Sequence, residues 1–231
     1  MSVEHRPDVA IVDYGLGNLY SVQQACRHVG LAAEITADAA VIERARAVVI
    51  PGVGAFGDAM ATLRRLDLVR VLQDAAASGR PFVGVCLGLQ LLMTESEEFG
   101  RHEGLGLIAG TVRRIEANDE RGRPVKVPQI GWNAVRKPVA AAGDPWAGTL
   151  LSDLADGDAM YFVHSYVVAP ASDDDVLAWS SYGDFRFCSA VRRKNVTAFQ
   201  FHPERSAAVG LQVYQRLAAQ IQSELKENGR E

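Results

Sequence analysis

Three short apolar runs constrain this chain most: Val9–Asp13, Ala47–Ile50 and Pro81–Val85, each closed by turn residues and each followed by a stretch with helical character. The first ends in Tyr14-Gly15, after which Asn18 is placed to cap a helix running to about Val29 and stopping at Gly30. The second breaks at Pro51-Gly52 and gives way to a helical stretch from about Asp58 to Ala77, interrupted near Asp67 and ended by Gly79. The third leads into a helix over Leu87–Met93. Fully apolar, β-branched strands alternating with helices predict a mostly parallel sheet covered by helices on both faces.

The pattern changes beyond Leu107. Up to Val135 the segments are short, with turns expected at Gly110, Asn118-Asp119, Gly122 and Gly131, as in antiparallel hairpins attached to the sheet. Lys137–Asp158, rich in Ala, Gly, Pro and Asp, reads as surface loop. Further strands are expected at Ala159–Val163, Val176–Ser180, Phe187–Val191 and Val196–Phe201. A final helix over about Ser206–Lys226 spaces Val209, Val213, Leu217, Ile221 and Leu225 four apart, as one buried stripe. With 231 residues and neither repeat nor low-complexity linker, the expectation is one domain over 1–231, its core about 9–226.

Composition excludes several classes of function. The net charge is −4 with no basic block, which argues against a nucleic-acid partner. The chain has no apolar run of about 18 residues, so no membrane span is expected. The opening MSVEHRPDVA has no apolar signal core, and export is not expected. Cys26, Cys86 and Cys188 are far apart, with neither disulfide nor zinc spacing, so no metal is expected and a reducing cytoplasm is the expected compartment. Gly15-Leu16-Gly17 suggests a dinucleotide loop, but Tyr20 stands where its third glycine belongs, and no cofactor is expected.

The strongest local signal is Gly84-Val85-Cys86-Leu87-Gly88, a glycine-flanked nucleophile between an apolar strand and a helix. A nucleophile on so tight a turn needs minimal neighbours two residues away. The strand lifts the sulfur to the carboxyl edge of the sheet, where open α/β folds bind ligands. The following helix directs its N-terminal amides at the sulfur, which favours thiolate, and the Leu87 N–H becomes a natural oxyanion donor. A lone cysteine is more often a structural core residue. Cys26 and Cys188, without such context, are expected to be core or half-buried residues.

A cysteine nucleophile needs a base, and the base needs an orienting group. Phe199-Gln200-Phe201-His202-Pro203-Glu204 offers both. Pro203 pushes His202 into extended conformation, and residues two apart in extended chain point the same way, so Glu204 is expected beside the His202 ring. The competing reading is a structural histidine next to a solvated glutamate. His5, His28 and His102 have no comparable context and are expected at the surface.

Together, G-V-C-L-G at 84–88 and F-H-P-E at 201–204 resemble the two catalytic signatures of the class I (triad) glutamine amidotransferases. The resemblance implies a flavodoxin-like α/β fold, a thioester formed from glutamine, and release of ammonia. Within that class, D-Y-G-L-G-N-L at 13–19, P-G-V-G-A-F-G-D-A-M at 51–60, P-Q-I-G-W-N at 128–133 and Y-F-V-H-S-Y at 161–166 resemble the glutaminase subunits of imidazole glycerol phosphate synthases, over about Val9 to Leu217. Those subunits carry His-Met where this chain has Gln129-Ile130, and Lys at Arg205.

That resemblance implies Cys86, His202 and Glu204 as catalytic residues, and a Val53-region amide beside Leu87 as the oxyanion hole. Gly52, Gly54, Gln90, His164, Ser165 and Tyr166 match glutamine-binding positions. Asn18, Gln129, Trp132 and Arg205 match a partner interface. It further implies a heterodimer with a TIM-barrel cyclase subunit that takes up the ammonia in histidine biosynthesis. Three alternatives remain at this stage: the glutaminase of a vitamin B6 synthase, a cysteine hydrolase of another kind on a similar fold, and a non-catalytic binding module.

Overall fold

The computed structural model describes residues 6–119, 121–139 and 143–228. The amino-terminal part alternates regularly: β1 (Val9–Val12), α1 (Leu19–His28), β2 (Ala33–Thr36), α2 (Ala39–Arg44), β3 (Ala47–Gly52), α3 (Phe56–Arg65), α4 (Leu68–Ala77), β4 (Phe82–Cys86) and α5 (Leu87–Leu91). Short strands β5 (Glu95–Ser96), β6 (His102–Glu103) and β7 (Gly110–Arg114) follow, then β8 (Gln129–Ala134), β9 (Ala159–His164) and β10 (Tyr166–Pro170). The chain closes with β11 (Val176–Tyr182), β12 (Phe185–Arg193), β13 (Val196–Phe199) and α6 (Ala207–Asn228).

Among the described residues, eleven strands form one sheet with the path β2-β1-β3-β4-β13-β12-β10-β7-β5-β6, and β11 pairs on β12. From β2 to β13 all neighbours are parallel. Antiparallel pairing begins at β12. The strands β1, β3 and β4 are buried throughout, as their unbroken apolar sequences require. Their side chains alternate between two cores. Val9, Ile11, Val49 and Val83 meet Val22 and Cys26 of α1 and Leu217 and Ile221 of α6. Ala10, Val12, Val48 and Ile50 meet Met60 of α3 and Leu72 of α4 on the other face.

Several expectations need correction. Pro51-Gly52 does not break β3: Pro51 pairs with Val85 and Gly52 with Cys86. A proline at a strand end forfeits one ladder donor and little else. Gly131 is not a turn but the middle of β8, at φ 136, a conformation open to glycine and not to side chains. The middle strands are not local hairpins. β7 pairs antiparallel with the distant β10 and parallel with β5, and β8 pairs with β9 in a separate ladder.

The segment after Lys137 is irregular but not superficial. Trp146, Leu150, Leu151 and Leu154 are buried, and Trp146 Nε1 donates to the Leu177 carbonyl at 2.7 Å. Residues 140–142 of that segment, like His5, lie outside the described residues. Asn18 stands at the N-cap of α1, yet its side chain makes no capping bond. On α6 the stripe Val213, Leu217 and Ile221 is buried, whereas Leu225 is exposed, beyond the edge of the core. The elements β2, α2 and β10 have no counterpart in the sequence reading.

Candidate functional site

The parallel strands deliver a cluster of chemically capable residues to their carboxyl ends. Cys86 closes β4 and opens α5 with φ 56 and ψ −108. Such backbone costs on the order of 1–3 kcal/mol and persists only when its surroundings enforce it. The flanking glycines show what enforces it. A Cβ on Gly84 would stand 2.9 Å from both the Ala198 Cβ and the Gly88 carbonyl oxygen, and one on Gly88 would run into the Ile50 carbonyl. Only glycine permits that approach, so the strained turn and the close packing of α5 on β3 depend on one another.

His202 lies after β13 in extended conformation, as expected before Pro203. Pro203–Arg205 then tighten into a 3₁₀ turn, so Glu204 reaches the ring around a turn rather than along extended chain. The result is the anticipated pair: His202 Nδ1 donates to Glu204 Oε1 at 2.8 Å, with both side chains buried. The turn is tied down by the His202 N–H to the Tyr161 carbonyl at 2.9 Å. Ser206 Oγ adds a bond to the His202 carbonyl at 2.6 Å and accepts from the Tyr161 N–H at 3.0 Å.

With Nδ1 committed to Glu204, the ring atom left free to act on a neighbour is Nε2, which is buried and makes no hydrogen bond among the described residues. Burial alone would depress the His202 imidazolium, but the Cys86 sulfur and the Glu204 carboxylate outweigh it and raise the group to about 10. The arrangement holds a cationic imidazole beside Cys86.

A cleft of about 280 Å³ opens over Cys86, lined by Val53, Gly54, Cys86, Leu87, Gln90, Glu98, Pro128, Val163, His164, Ser165 and Tyr166. Nearly every expected oxyanion and substrate residue is thus brought together. The exception is Gly52, which pairs in register with Cys86 and does not line the cleft. Gln90 is buried, and its Nε2 donates to the Tyr166 carbonyl at 3.0 Å and to Gln200 Oε1 at 3.2 Å. His164 Nδ1 meets the same carbonyl at 3.0 Å, and burial depresses its pKa to about 4, so it is neutral at pH 7. Tyr14, whose hydroxyl donates to the Pro51 carbonyl at 2.7 Å, supports the strand from which the Val53 loop departs.

Two residues escaped the sequence reading. Glu98 is a buried carboxylate on the cleft wall that accepts the Phe56 N–H at 2.6 Å. Within Thr94-Glu95-Ser96-Glu97-Glu98 it looks like one acid of a solvated run, and only tertiary packing singles it out. Gln200 is fully buried, with Nε2 3.8 Å from Cys86 Sγ. Its only signal was proximity to His202 in sequence.

The expected interface residues separate. Trp132 is 57 % exposed and Ile130 58 %, so Trp132 is not a core residue. Trp132 meets Tyr161 edge to face at 6.1 Å between centroids, and the Arg205 guanidinium lies 4.5 Å over the Tyr161 ring. The Tyr161 ring in turn lies 6.5 Å from that of His202. Asn18 is half-buried at the start of α1, which packs against the Pro203–Arg205 turn. Gln129 departs from the expectation. Strand alternation turns it inward, opposite His164, and it is buried.

Cys26 and Cys188 are buried core thiols, as expected, with burial pushing Cys26 up to about 12 and Cys188 higher still. Among the described residues there is no group of three or more His, Cys, Asp or Glu side chains fit to hold a metal ion. Among the described residues no helix is long and apolar enough to cross a membrane.

Comparison with known proteins finds relatives that match most of the chain. The family model described as glutamine amidotransferase class-I matches residues 10–216. A protein of Rhodopirellula baltica named imidazole glycerol phosphate synthase subunit HisH is 47 % identical over 210 residues, covering 91 % of this chain and 96 % of the relative. A protein of the same name from Geobacillus thermodenitrificans is 41 % identical over 221 residues, covering 96 % and 99 %. Among solved structures, PurLQS from Thermotoga maritima superposes with a TM-score of 0.65 at 18 % identity, covering 96 % of this chain and all of the matched one. The glutaminase domain of CTPS from Trypanosoma brucei reaches 0.61 at 18 % identity, covering 93 % of each chain. At such identities the superpositions speak for the fold, a flavodoxin-like α/β architecture.

Proposed function

The chain belongs to the class I glutamine amidotransferases, and within them to the imidazole glycerol phosphate synthase subunit HisH family, and we propose that Cys86, His202 and Glu204 carry its glutamine hydrolysis. The observation that carries this assignment is the buried His202–Glu204 pair set against a cysteine on a strained, glycine-flanked turn. A thiolate at Cys86 attacks the glutamine carboxamide. The N–H groups of Val53 and Leu87 receive the oxyanion, each such donor contributing about 3 kcal/mol to lowering the barrier. His202, cationic and oriented by Glu204, protonates the amide nitrogen, which leaves as ammonia, then takes a proton from the water that opens the thioester to glutamate.

The cleft suits glutamine itself. An α-amino acid brings an ammonium group, and Glu98 is a carboxylate already desolvated and oriented on the wall. Gly54, Gln90, Ser165, Tyr166 and neutral His164 surround it with polar groups that fix orientation. Burial of all catalytic side chains disfavours the reading as a binding module, since burying a charged pair without use is costly.

Ammonia set free in water at neutral pH becomes ammonium, which is no nucleophile, so its acceptor must sit close by. We infer a heterodimer with a TIM-barrel cyclase subunit that consumes the ammonia in making imidazole glycerol phosphate. Exposed Trp132, Ile130 and Arg205, joined through half-buried Tyr161 to His202, form its docking surface, with Asn18 at the margin. The test is glutamate release by the purified chain, alone and with the cyclase and its nucleotide ligand. Low release alone and a large rise in the complex are expected. Full activity of the isolated chain contradicts the coupling, and no activity in either state contradicts the glutaminase assignment.

A further inference from the structure

The hydrolytic scheme leaves one neighbour of the nucleophile unused. Gln200 follows β13, is fully buried, and has its backbone N–H fixed on the Ser189 carbonyl at 2.9 Å. Its carboxamide stands between Gln90 and Cys86. The polarity of this chain of amides is set at one end. The Tyr166 carbonyl can only accept, so it binds the nitrogen of Gln90 at 3.0 Å. That nitrogen also donates to Gln200 Oε1 at 3.2 Å. The amide nitrogen of Gln200 is thereby turned to the Cys86 sulfur, 3.8 Å away, and the sulfur in turn lies 3.8 Å from the Val163 carbonyl.

A thiol accepts hydrogen bonds weakly and a thiolate strongly. Building on the assignment of Cys86 as glutaminase nucleophile, we propose that Gln200 is a positioning residue whose buried amide N–H orients the Cys86 sulfur and favours its anionic form. Its role is distinct from that of His202. The imidazole gains and loses a proton during each turnover, whereas the amide is a neutral, fixed donor throughout. It matters most when water attacks the thioester. His202 takes the water proton, the hydroxyl adds to the acyl carbon, and the carbon–sulfur bond breaks with its electron pair leaving on sulfur. The Gln200 N–H already points at that sulfur. The same amide touches Gln90 on the cleft wall, so it couples the nucleophile to the residue that meets substrate.

The experiment is alkylation of Cys86 by iodoacetamide as a function of pH, in wild type, Gln200→Met and Gln200→Glu. It needs no glutamine and no partner, so it stands or falls separately from glutaminase activity, which is measured as glutamate release by the wild type. Cys26 and Cys188, buried thiols with raised pKa, do not compete. The other groups around the sulfur, His202 with Glu204, Tyr14, His164 and Glu98, are the same in all three proteins. Gln200→Met is expected to slow alkylation at pH 7 by about tenfold, the worth of one good hydrogen bond, and to move the profile to higher pH. Gln200→Glu, of the same shape but with a carboxylate against the sulfur, moves it further. With glutamine, kcat falls while KM changes little. In the wild type, the Gln200 side-chain amide protons shift in NMR spectra as Cys86 titrates, a reading independent of any variant. Profiles of folded variants that superimpose on wild type, or amide resonances indifferent to the state of Cys86, overturn the proposal.

Discussion

Two regions border the Cys86 cleft, a closed wall behind it and an open wall beside it, and they are built differently. One is closed: Cys86, His202, Glu204 and Gln200 sit at the ends of parallel strands, buried and held by hydrogen bonds and by glycines with no space to spare. The other is open: Val53 is 42 % exposed on the loop after β3, and Ile130 and Trp132 stand on the outer face of the small β8–β9 ladder. The parallel region fixes groups whose relative positions decide whether chemistry happens. The ladder and the loop expose apolar surface that a lone chain has no use for. On the assignment proposed above, the reactive groups are complete within this chain, whereas the Val53 loop and the apolar strip are placed where a second protein can act on them.

If that division is right, variants in the closed wall abolish chemistry and variants in the open wall disturb coupling. The largest effect belongs to the base. His202→Asn is expected to lower kcat by about 10⁶-fold, while Glu204→Gln, which removes only the orienting charge, leaves measurably more activity. Steady-state glutamate release checks both, and near-wild-type rates for either dissolve the triad.

A smaller effect is expected on the open side. Trp132→Ala should weaken association with the cyclase by about 2 kcal/mol, or uncouple ammonia from cyclised product, while glutamate formation persists. Titration calorimetry and the ratio of glutamate to cyclised product measure it. Unchanged affinity with a one-to-one ratio would place Trp132 outside the interface.

The smallest effect is on stability. The His202 pKa is raised in the folded chain, so the charged ring contributes stability that is fully present below about 6.5 and lost as pH rises toward about 10. Thermal melts of wild type should therefore fall across that window relative to His202→Asn. Parallel curves would mean the imidazolium does not interact with Cys86 and Glu204 as described.

Much of the closed wall is legible in the sequence because local rules dictate it. Gly84 and Gly88 announce the elbow, and buried apolar runs announce β1, β3 and β4. The proposed base and its orienting group lie two residues apart in His202-Pro203-Glu204, although a turn rather than an extended strand unites them. The open wall is less legible, because its structure rests on pairing between distant segments. Gly131 looks like a turn residue until β9 supplies its partner strand. Gln129 looks as available to a partner as Trp132 until strand alternation places the one inside and the other outside. Glu98 and Gln200 become functional candidates only when folding desolvates them, an event that no single-residue propensity records.

The central claim, that Cys86 is the nucleophile of a glutamine-specific cleft, is tested most directly by a glutamine-analogue electrophile followed by peptide mass analysis. One label per chain, on Cys86, prevented by Cys86→Ala and slowed by competing glutamine, is the expected result. Labelling at Cys26 or Cys188, or labelling of Cys86 that glutamine does not slow, would contradict it.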